Sequence, residues 1–355
     1  HSGSALDKLR VPVAVLWKTI MPIDVLCVGH AAYDISLFVD QYPQENSKCE
    51  TELLLEDCGG PAANAAYLLS QWNVACAFAG LVGDDPYGQR IADAFRSAGT
   101  DISMLQLRPG HVTPLSMILV NNRTGSRTII NRRRKDAAFQ VDFRDWGGRS
   151  PQVLLFDGHA LEASLSALEV FPSAVSILDA GSMREGTSVL AGKVDYVAAS
   201  ERFALQTTGL QDLHTSENRR HALSVLRDRF HTNVIVTLGE KGMAVFSREA
   251  EPFFVPTSVR EVFDVSGAGD TVIAALALSL AAGAGLRDAV HVANEAAGIA
   301  VGKSGVAVVE PKELASRFAP GGADKILSRE DLVHRVAWWR MQDQQVVLTN
   351  GCFDL

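Results

Sequence analysis

No stretch of this chain is apolar for long enough to span a bilayer. The longest such run, Val272 to Leu286, is rich in alanine and glycine and falls short of the roughly 20 residues a spanning helix needs, so it reads as a buried helix. Cysteine is scarce and patternless. The five present (Cys27, Cys49, Cys58, Cys76, Cys352) are an odd number at irregular spacing, with no CxxC pair and no Cys/His cluster of zinc spacing. A reduced, cytoplasmic protein is the plain reading. Positive charge is not in excess either: 33 Lys and Arg against 41 Asp and Glu leave a net −8, which disfavours a general nucleic-acid or anionic-membrane surface. An anionic ligand would need a local site. Internal repeats and low-complexity tracts are also missing. What remains is 355 residues, 47% hydrophobic and 21% charged, enough for a substantial core and for one large α/β domain or two smaller ones.

Residues 1–20, beginning His-Ser-Gly-Ser, read as a tag or leader ahead of Met21. Arg10 to Ile20 has the apolar character of a signal-peptide core, but no small-residue cleavage site follows, and Pro22 leads directly into an apolar strand. From Ile23 to Gly29 the chain is β-branched and apolar, as a buried strand requires. Pro61 to Asn73 and Pro86 to Ala98 have helical spacing, with a strand at Cys76 to Val82 between them. Short apolar runs at Val153–Phe156, Val175–Asp179, Tyr196–Ala199 and Asn233–Leu238 are separated by helical stretches. This alternation predicts a parallel sheet with helices on both faces and ligands gathered at the carboxyl ends of its strands. Residues 36–58 alternate more loosely, and Leu115 to Asn131 reads as two strands turning at Asn122-Arg123-Thr124-Gly125. Together they suggest a small separate antiparallel sheet.

The segment Gly267-Ala268-Gly269-Asp270 opens the helical run from Thr271. Small residues let the backbone N–H groups of a helix start converge on an anion, and a carboxylate there can take a proton from an attacking hydroxyl. Those are the requirements of phosphoryl transfer. Alone, Asp270 reads as a helix N-cap before it reads as a base. Four ordered segments supply the context. Asp264 to Thr271 (Asp-Val-Ser-Gly-Ala-Gly-Asp-Thr) resembles the DxTGAGD signature of the ribokinase (PfkB) family of carbohydrate kinases, with Ser266 in place of Thr. Asp34 follows the first strand as the sugar-binding acid of that family does; Gly59-Gly60-Pro61-Ala62-Ala63-Asn64 is similar to its GGxxxN segment, and Thr237-Leu238-Gly239-Glu240-Lys241-Gly242 to its TxGxxG nucleotide loop.

The resemblance implies a three-layer α/β sandwich with a mostly parallel central sheet and a small β lid at about 36–58 and 108–136, within a kinase domain of residues 21–320. It implies Asp270 as general base and the Gly267, Ala268 and Gly269 backbone as an anion hole. Asp34, Gly59, Gly60, Asn64 and Asn131 would bind the sugar or sugar phosphate; Thr237, Gly239, Gly242, Asp264 and Asn294 would bind ATP. Mg²⁺, with room for a monovalent cation such as K⁺, and a homodimer formed through the lid complete the expectation. One segment departs from the family. Where Asn-x-x-Glu is usual the chain has Ser200-Glu201-Arg202-Phe203, which leaves Glu201 as the candidate metal residue.

The basic run Arg132-Arg133-Arg134-Lys135 reads either as a solvated face or as a closure over ATP or a second phosphate on the substrate. Gly298 to Ser304 has a superficial likeness to a P-loop but one residue too few between its glycines, and it follows a helix, which excludes it. Val262 to Leu314 is similar to the kinase half of bifunctional heptose-phosphate kinase/nucleotidyltransferases. Residues 321–355, with a capping box at Ser328-Arg329-Glu330-Asp331 and a strand at Gln345 to Thr349, resemble the linker helix and first strand of their other half. A nucleoside or vitamin kinase and a non-catalytic ligand-binding relative are the alternatives on the same fold.

Overall fold

A computed structural model describes residues 24–132, 138–146, 148–248, 251–257, 267–303 and 308–318. The expectations for residues 1–20, Arg133 to Lys135, Asp264 and 321–355 lie outside the described residues. Thirteen strands are described: β1 (Asp24–Val28), β2 (Ala32–Val39), β3 (Leu54–Gly59), β4 (Ala75–Gly83), β5 (Leu105–Arg108), β6 (Leu115–Asn121), β7 (Arg127–Arg132), β8 (Val153–Phe156), β9 (Val175–Ala180), β10 (Tyr196–Ser200), β11 (Asn233–Thr237), β12 (Met243–Phe246) and β13 (Phe253–Val255). The helices are α1 (Pro61–Gln71), α2 (Pro86–Ala98), α3 (Leu161–Val170), α4 (Glu185–Leu190), α5 (Glu201–Thr208), α6 (Ser216–Phe230), α7 (Ala268–Ala281), α8 (Leu286–Val301) and α9 (Pro311–Phe318).

Nine strands form the central sheet in the order β13-β12-β11-β10-β9-β8-β1-β4-β5; the β11–β12 and β12–β13 pairings are antiparallel and the rest parallel. Alternation along each strand sends side chains to two separate cores. Val25 and Cys27 of β1 join α1, α7 and α8 on one face, while Leu26 and Val28 join α3, α5 and α6 on the other. Burial on both faces is why these strands read as unbroken apolar runs. Helix α7 is buried from Thr271 through Leu280, which accounts for its apolar composition.

The order of the strands positions the site. From β1 the chain builds outward to β4 and β5 on one side, then returns to β8 and builds outward on the other. Such a reversal leaves a crevice at the carboxyl ends of β1 and β8, where no crossover helix fills the space. A second sheet, ordered β3-β2-β6-β7, stands over that end. It is antiparallel except for β2 and β6, whose parallel register sets Asp34 beside Ser116. It begins at Ala32, so Asp34 lies within its second-in-line strand β2 and not in the turn after β1.

Candidate active site

Helix α7 starts in a way that leaves Asp270 available. Its N-cap is Gly267, at φ 73°, and no side chain caps it. The first intrahelical bond runs from Thr271 N to Gly267 O at 2.9 Å. The amides of the first turn therefore have no carbonyl below them, and the positive end of the helix faces the crevice. Asp270, which alone could have served as a cap, is instead the third helical residue, and its carboxylate Oδ2 accepts from Asn64 Nδ2 at 2.6 Å. Asn64 is itself fixed within the first turn of α1, its N donating to Gly60 O at 2.8 Å. Burial pushes the Asp270 carboxyl up to about 6; Asp157 and Asp34 push it the same way, and the Asn64 amide holds it down. Such a group is ionised at neutral pH yet basic enough to accept a proton.

The second sheet contributes a polar row across all four strands. Asp57 pairs with Asp34, Asp34 with Ser116, and Ser116 with Asn131, so the four side chains lie on one face. Among the described residues, Asp34 Oδ1 is buried and has no hydrogen-bond partner, an arrangement that leaves an acceptor for an incoming hydroxyl. Its carboxyl is raised by burial and further by Asp57, while the Ser116 hydroxyl opposes the shift. Gly59 permits this packing, because a Cβ there would lie 2.2 Å from Asp34 Oδ2. Cys58 shares the neighbourhood, but burial and the two acids push its thiol up to about 12, so it stays protonated. Asp57, Cys58, Asn64, Tyr67, Gly267 and Asp270 line a cavity of about 100 Å³.

Two acids at strand ends were not singled out from the sequence. Asp157, just past β8, is buried, and its oxygens accept from His30 N at 2.8 Å, His159 N at 2.9 Å and Ala62 N at 3.4 Å. It ties the ends of β1 and β8 to the start of α1. Asp179, in β9, is raised to about 8 by burial and then by Asp270 and Asp157, with Arg184 opposing. An acid at the end of an apolar run was a signal available for Asp157. Asp57 and Ser116 had none, since their place beside Asp34 depends on strand register.

The residues expected at the nucleotide lie farther along the sheet. Thr237 ends β11, its hydroxyl donating to Ala199 O at 3.4 Å. Gly239 and Gly242 follow in a tight turn closed by Leu238 N donating to Gly242 O at 2.8 Å. Asn294 is buried in α8, and its amide donates to Pro256 O at 2.9 Å, so it braces the segment after β13. At the departing segment, Ser200 Oγ accepts from Phe203 N at 3.1 Å as the cap of α5 and donates to Gly181 O at 2.8 Å; Phe203 is fully buried. Glu201 sits in the first turn of that helix, where a carboxylate is favoured by the helix dipole. Among the described residues no group of three His, Cys, Asp or Glu side chains could hold a metal ion. Among the described residues, these side chains therefore do not build a Mg²⁺ cage. Two basic residues also have structural partners: Arg132 donates to Thr113 O at 3.3 Å, and Lys303 bonds to Val308 O at 2.8 Å and Glu313 Oε2 at 2.6 Å. Among the described residues no helix is long and apolar enough to cross a membrane.

Comparison with known proteins agrees with this architecture. Residues 22–313 match the pfkB family of carbohydrate kinases. The bifunctional protein HldE of Azorhizobium caulinodans is 45% identical over 166 residues, covering 45% of this chain and 34% of that protein. HldE of Trichlorobacter lovleyi is 29% identical over 362 residues, covering 98% and 74%. The match spans only about a third of the A. caulinodans protein and 63% of the HldE of Pelobacter propionicus. In fold, the chain is similar to the Arabidopsis thaliana ribokinase solved with ribose and ATP, with a TM-score of 0.72 and 22% identity over 83% of this chain and 98% of that one. The ribokinase-like sandwich, its mostly parallel central sheet and the family match over most of the length lead to one conclusion: the chain belongs to the PfkB family of carbohydrate kinases.

Proposed function

We propose that the chain transfers the γ-phosphoryl group of ATP to a hydroxyl of a sugar or sugar phosphate, with Asp270 as general base. The observation that carries this reading is the Asn64–Asp270 contact at a helix start without a side-chain cap: it holds a carboxylate of pKa about 6 at the positive end of the helix. The acceptor lies between Asn64 and the Asp34 row of the second sheet, with Gly59 and Gly60 as the hinge of that lid and Asn131 at the far end of the row. Its hydroxyl gives its proton to Asp270 Oδ1 or Oδ2 as the phosphoryl group arrives in line, and the Gly267, Ala268 and Gly269 amides receive the anion. Thr237, Gly239, Gly242 and Asp264 serve the nucleotide, with Asn294 bracing its wall. Glu201 would be the residue to hold the waters of a Mg²⁺ ion, which would neutralise the nucleotide's phosphates. Closure of the lid excludes water. Its exposed Leu54, Leu55, Ile129 and Ile130 support pairing with a second copy.

The test is ADP release over a panel of ketohexoses, pentoses, heptose phosphates and nucleosides, with Asp270→Ala beside the parent. The variant should lose roughly 10²–10⁴ in kcat while its affinity for ATP changes little. Turnover near that of the parent on the best acceptor would remove Asp270 from the role of base. A second reading, a heptose-phosphate kinase, is favoured by the alignment with HldE proteins over most of the chain, and the same panel separates it.

A further inference from the structure

The second sheet has a reverse face. Asp57, Asp34, Ser116 and Asn131 form the row that carries the candidate acceptor contacts; one residue along each strand, on the other side, lie Cys58, Tyr33, Leu115 and Arg132, which pair across the same four strands. Glu56 shares that reverse face through its pairing with Ile35. Helix α2 covers the base of this side. Tyr33 is buried there, its ring 5.1 Å from that of Tyr87 at 37°. Arg90, one turn farther along α2, has its guanidinium carbon 5.6 Å from the centre of the Tyr33 ring, and its Nη1 donates to the Tyr33 hydroxyl at 2.9 Å and to Glu56 Oε2 at 2.9 Å. Arg132 completes the cluster from β7: its guanidinium carbon is 5.9 Å from the centre of the Tyr87 ring, and its Nη2 donates to Thr113 O at 3.3 Å.

Helix α2 is itself held at this point. Asp85 caps it, with Oδ1 accepting from Tyr87 N at 3.1 Å and Gly88 N at 2.9 Å, and the same carboxylate accepts from Thr113 N at 2.9 Å and Thr113 Oγ1 at 2.7 Å. The next residue, Pro114, accepts from Tyr33 N at 2.9 Å. Farther along α2, Ile91 and Phe95 are buried in the core beside β1 and β4. The cluster thus joins a fixed part of the body to three strands of the lid: β2 through Tyr33, β3 through Glu56 and β7 through Arg132. Contacts at the base of a sheet set the direction of everything beyond it. Tyr33 adjoins Asp34 and Glu56 adjoins Asp57, so Arg90 grips from behind the two strand positions whose fronts carry the acids. A guanidinium can lie over an aromatic ring and donate from its edge at the same time, which an ammonium cannot.

We propose that Arg90 is a positioning residue of the acceptor site: by bracing Tyr33 and Glu56 against α2 it sets the angle at which the lid presents Asp34 and Asp57 to Asp270. This role rests on the phosphotransfer reading above, which puts the acceptor between those acids. Arg90 and Glu56 are exposed, so each contact is modest alone, and the brace acts through their sum. It fixes where the lid stands and touches neither acceptor nor nucleotide.

Hydrogen exchange of the full chain without ligand, followed by mass spectrometry, reads the lid directly. In Arg90→Ala the amides of β2 and β3 should exchange about 3- to 30-fold faster than in the parent, and those of β8 to β11 at the parental rate. ADP release with the best acceptor of the panel reads the consequence. Acceptor KM should rise by about the same 3- to 30-fold, because apparent affinity falls with the fraction of chains whose lid is set for binding, while kcat at saturating acceptor and nucleotide KM stay within about twofold. Arg90→Lys, which keeps the charge and loses the planar contact, should fall between. Exchanging the two charges, Arg90→Glu with Glu56→Arg, should recover at least about threefold of the acceptor KM lost in Arg90→Glu alone. Lid exchange equal to the parent's, an acceptor KM within about twofold of it, an equal rise in both KM values, or a double variant no better than Arg90→Glu overturns the positioning role. The two readings fail separately: turnover with unmoved lid exchange removes the brace alone. Absence of ADP release with every acceptor removes phosphotransfer, and the ratio of sugar affinities between parent and Arg90→Ala, measured by calorimetry over the same panel, then decides the brace; no binding of any of them overturns both.

Discussion

Removing the side chain of Asn64 separates two roles that the structure gives it, contact with the acceptor and control of Asp270. Burial, Asp157 and Asp34 all raise the Asp270 carboxyl, and the Asn64 amide is what opposes them. A hydrogen bond to a charged group contributes about 1.5–3 kcal/mol, and one pKa unit corresponds to about 1.4 kcal/mol. Asn64→Ala should therefore lift Asp270 by about 1–2 units from its value of about 6. A general base acts when unprotonated, so activity is lost as pH falls through its pKa, and the acidic limb of kcat/KM should move from near 6 to between about 7 and 8. At about pH 6 the variant's deficit against the parent should be ~5- to 50-fold larger than at high pH, where only the lost acceptor contact remains. The assay is coupled ADP release, followed as kcat/KM from about pH 5 to about pH 9. Asp179, raised to about 8 and acting on the same carboxylate, titrates in this window, so the midpoints belong to the coupled pair and the comparison is between parent and variant profiles. A uniform drop in rate with an unmoved midpoint would refute the reasoning and reduce Asn64 to an acceptor contact.

Gly59→Ala should act through Asp34. The added Cβ would lie 2.2 Å from Asp34 Oδ2 and 2.6 Å from its Cγ, so the acid must turn out of the row, at a cost of about 1–3 kcal/mol. Acceptor KM should rise about 5- to 150-fold with nucleotide KM unchanged, and an acceptor KM within about twofold of the parent would show that Asp34 need not hold this pose. Lys303→Met tests the segment with a superficial likeness to a P-loop. Its ammonium joins Val308 O and Glu313 Oε2 behind α8, so the melting temperature should drop by roughly 1–4 °C while kcat and nucleotide KM stay within about twofold. A marked rise in nucleotide KM would place this lysine at the phosphates.

The alternation of apolar runs with helical spacing was enough to lay out the parallel sheet, because strands buried on both faces leave no room for polar residues. Helix α2 and strand β8 have the limits their residues imply, Pro86 to Ala98 and Val153 to Phe156. Proline at the first helical position and glycine just past the last, Gly99 at φ 82°, mark the ends of α2 without reference to the rest of the chain. The strands of the second sheet were harder to read. Most of their side chains are half-buried or exposed, so the period-2 signal is diluted, and β2 begins four residues before the looser pattern at 36–58 becomes visible.

The sequence by itself determined which residues can do chemistry: an acid at the start of an apolar helix after small residues, an asparagine one turn into another helix, an acid ahead of the lid. Their segments are local, and local sterics and hydrogen bonding dictate their form. Tertiary structure decided what those residues do to one another. Asn64 and Asp270 are 206 residues apart and meet at 2.6 Å because α1 and α7 pack on the same face of the sheet. Asp34 lies beside Ser116 only through the parallel register of β2 and β6, and His159 reaches Arg184 only because Gly158 and Gly186 let two loops touch. The raised carboxyls of Asp270 and Asp179 follow from burial among other acids, a property of the assembled crevice that no single segment carries.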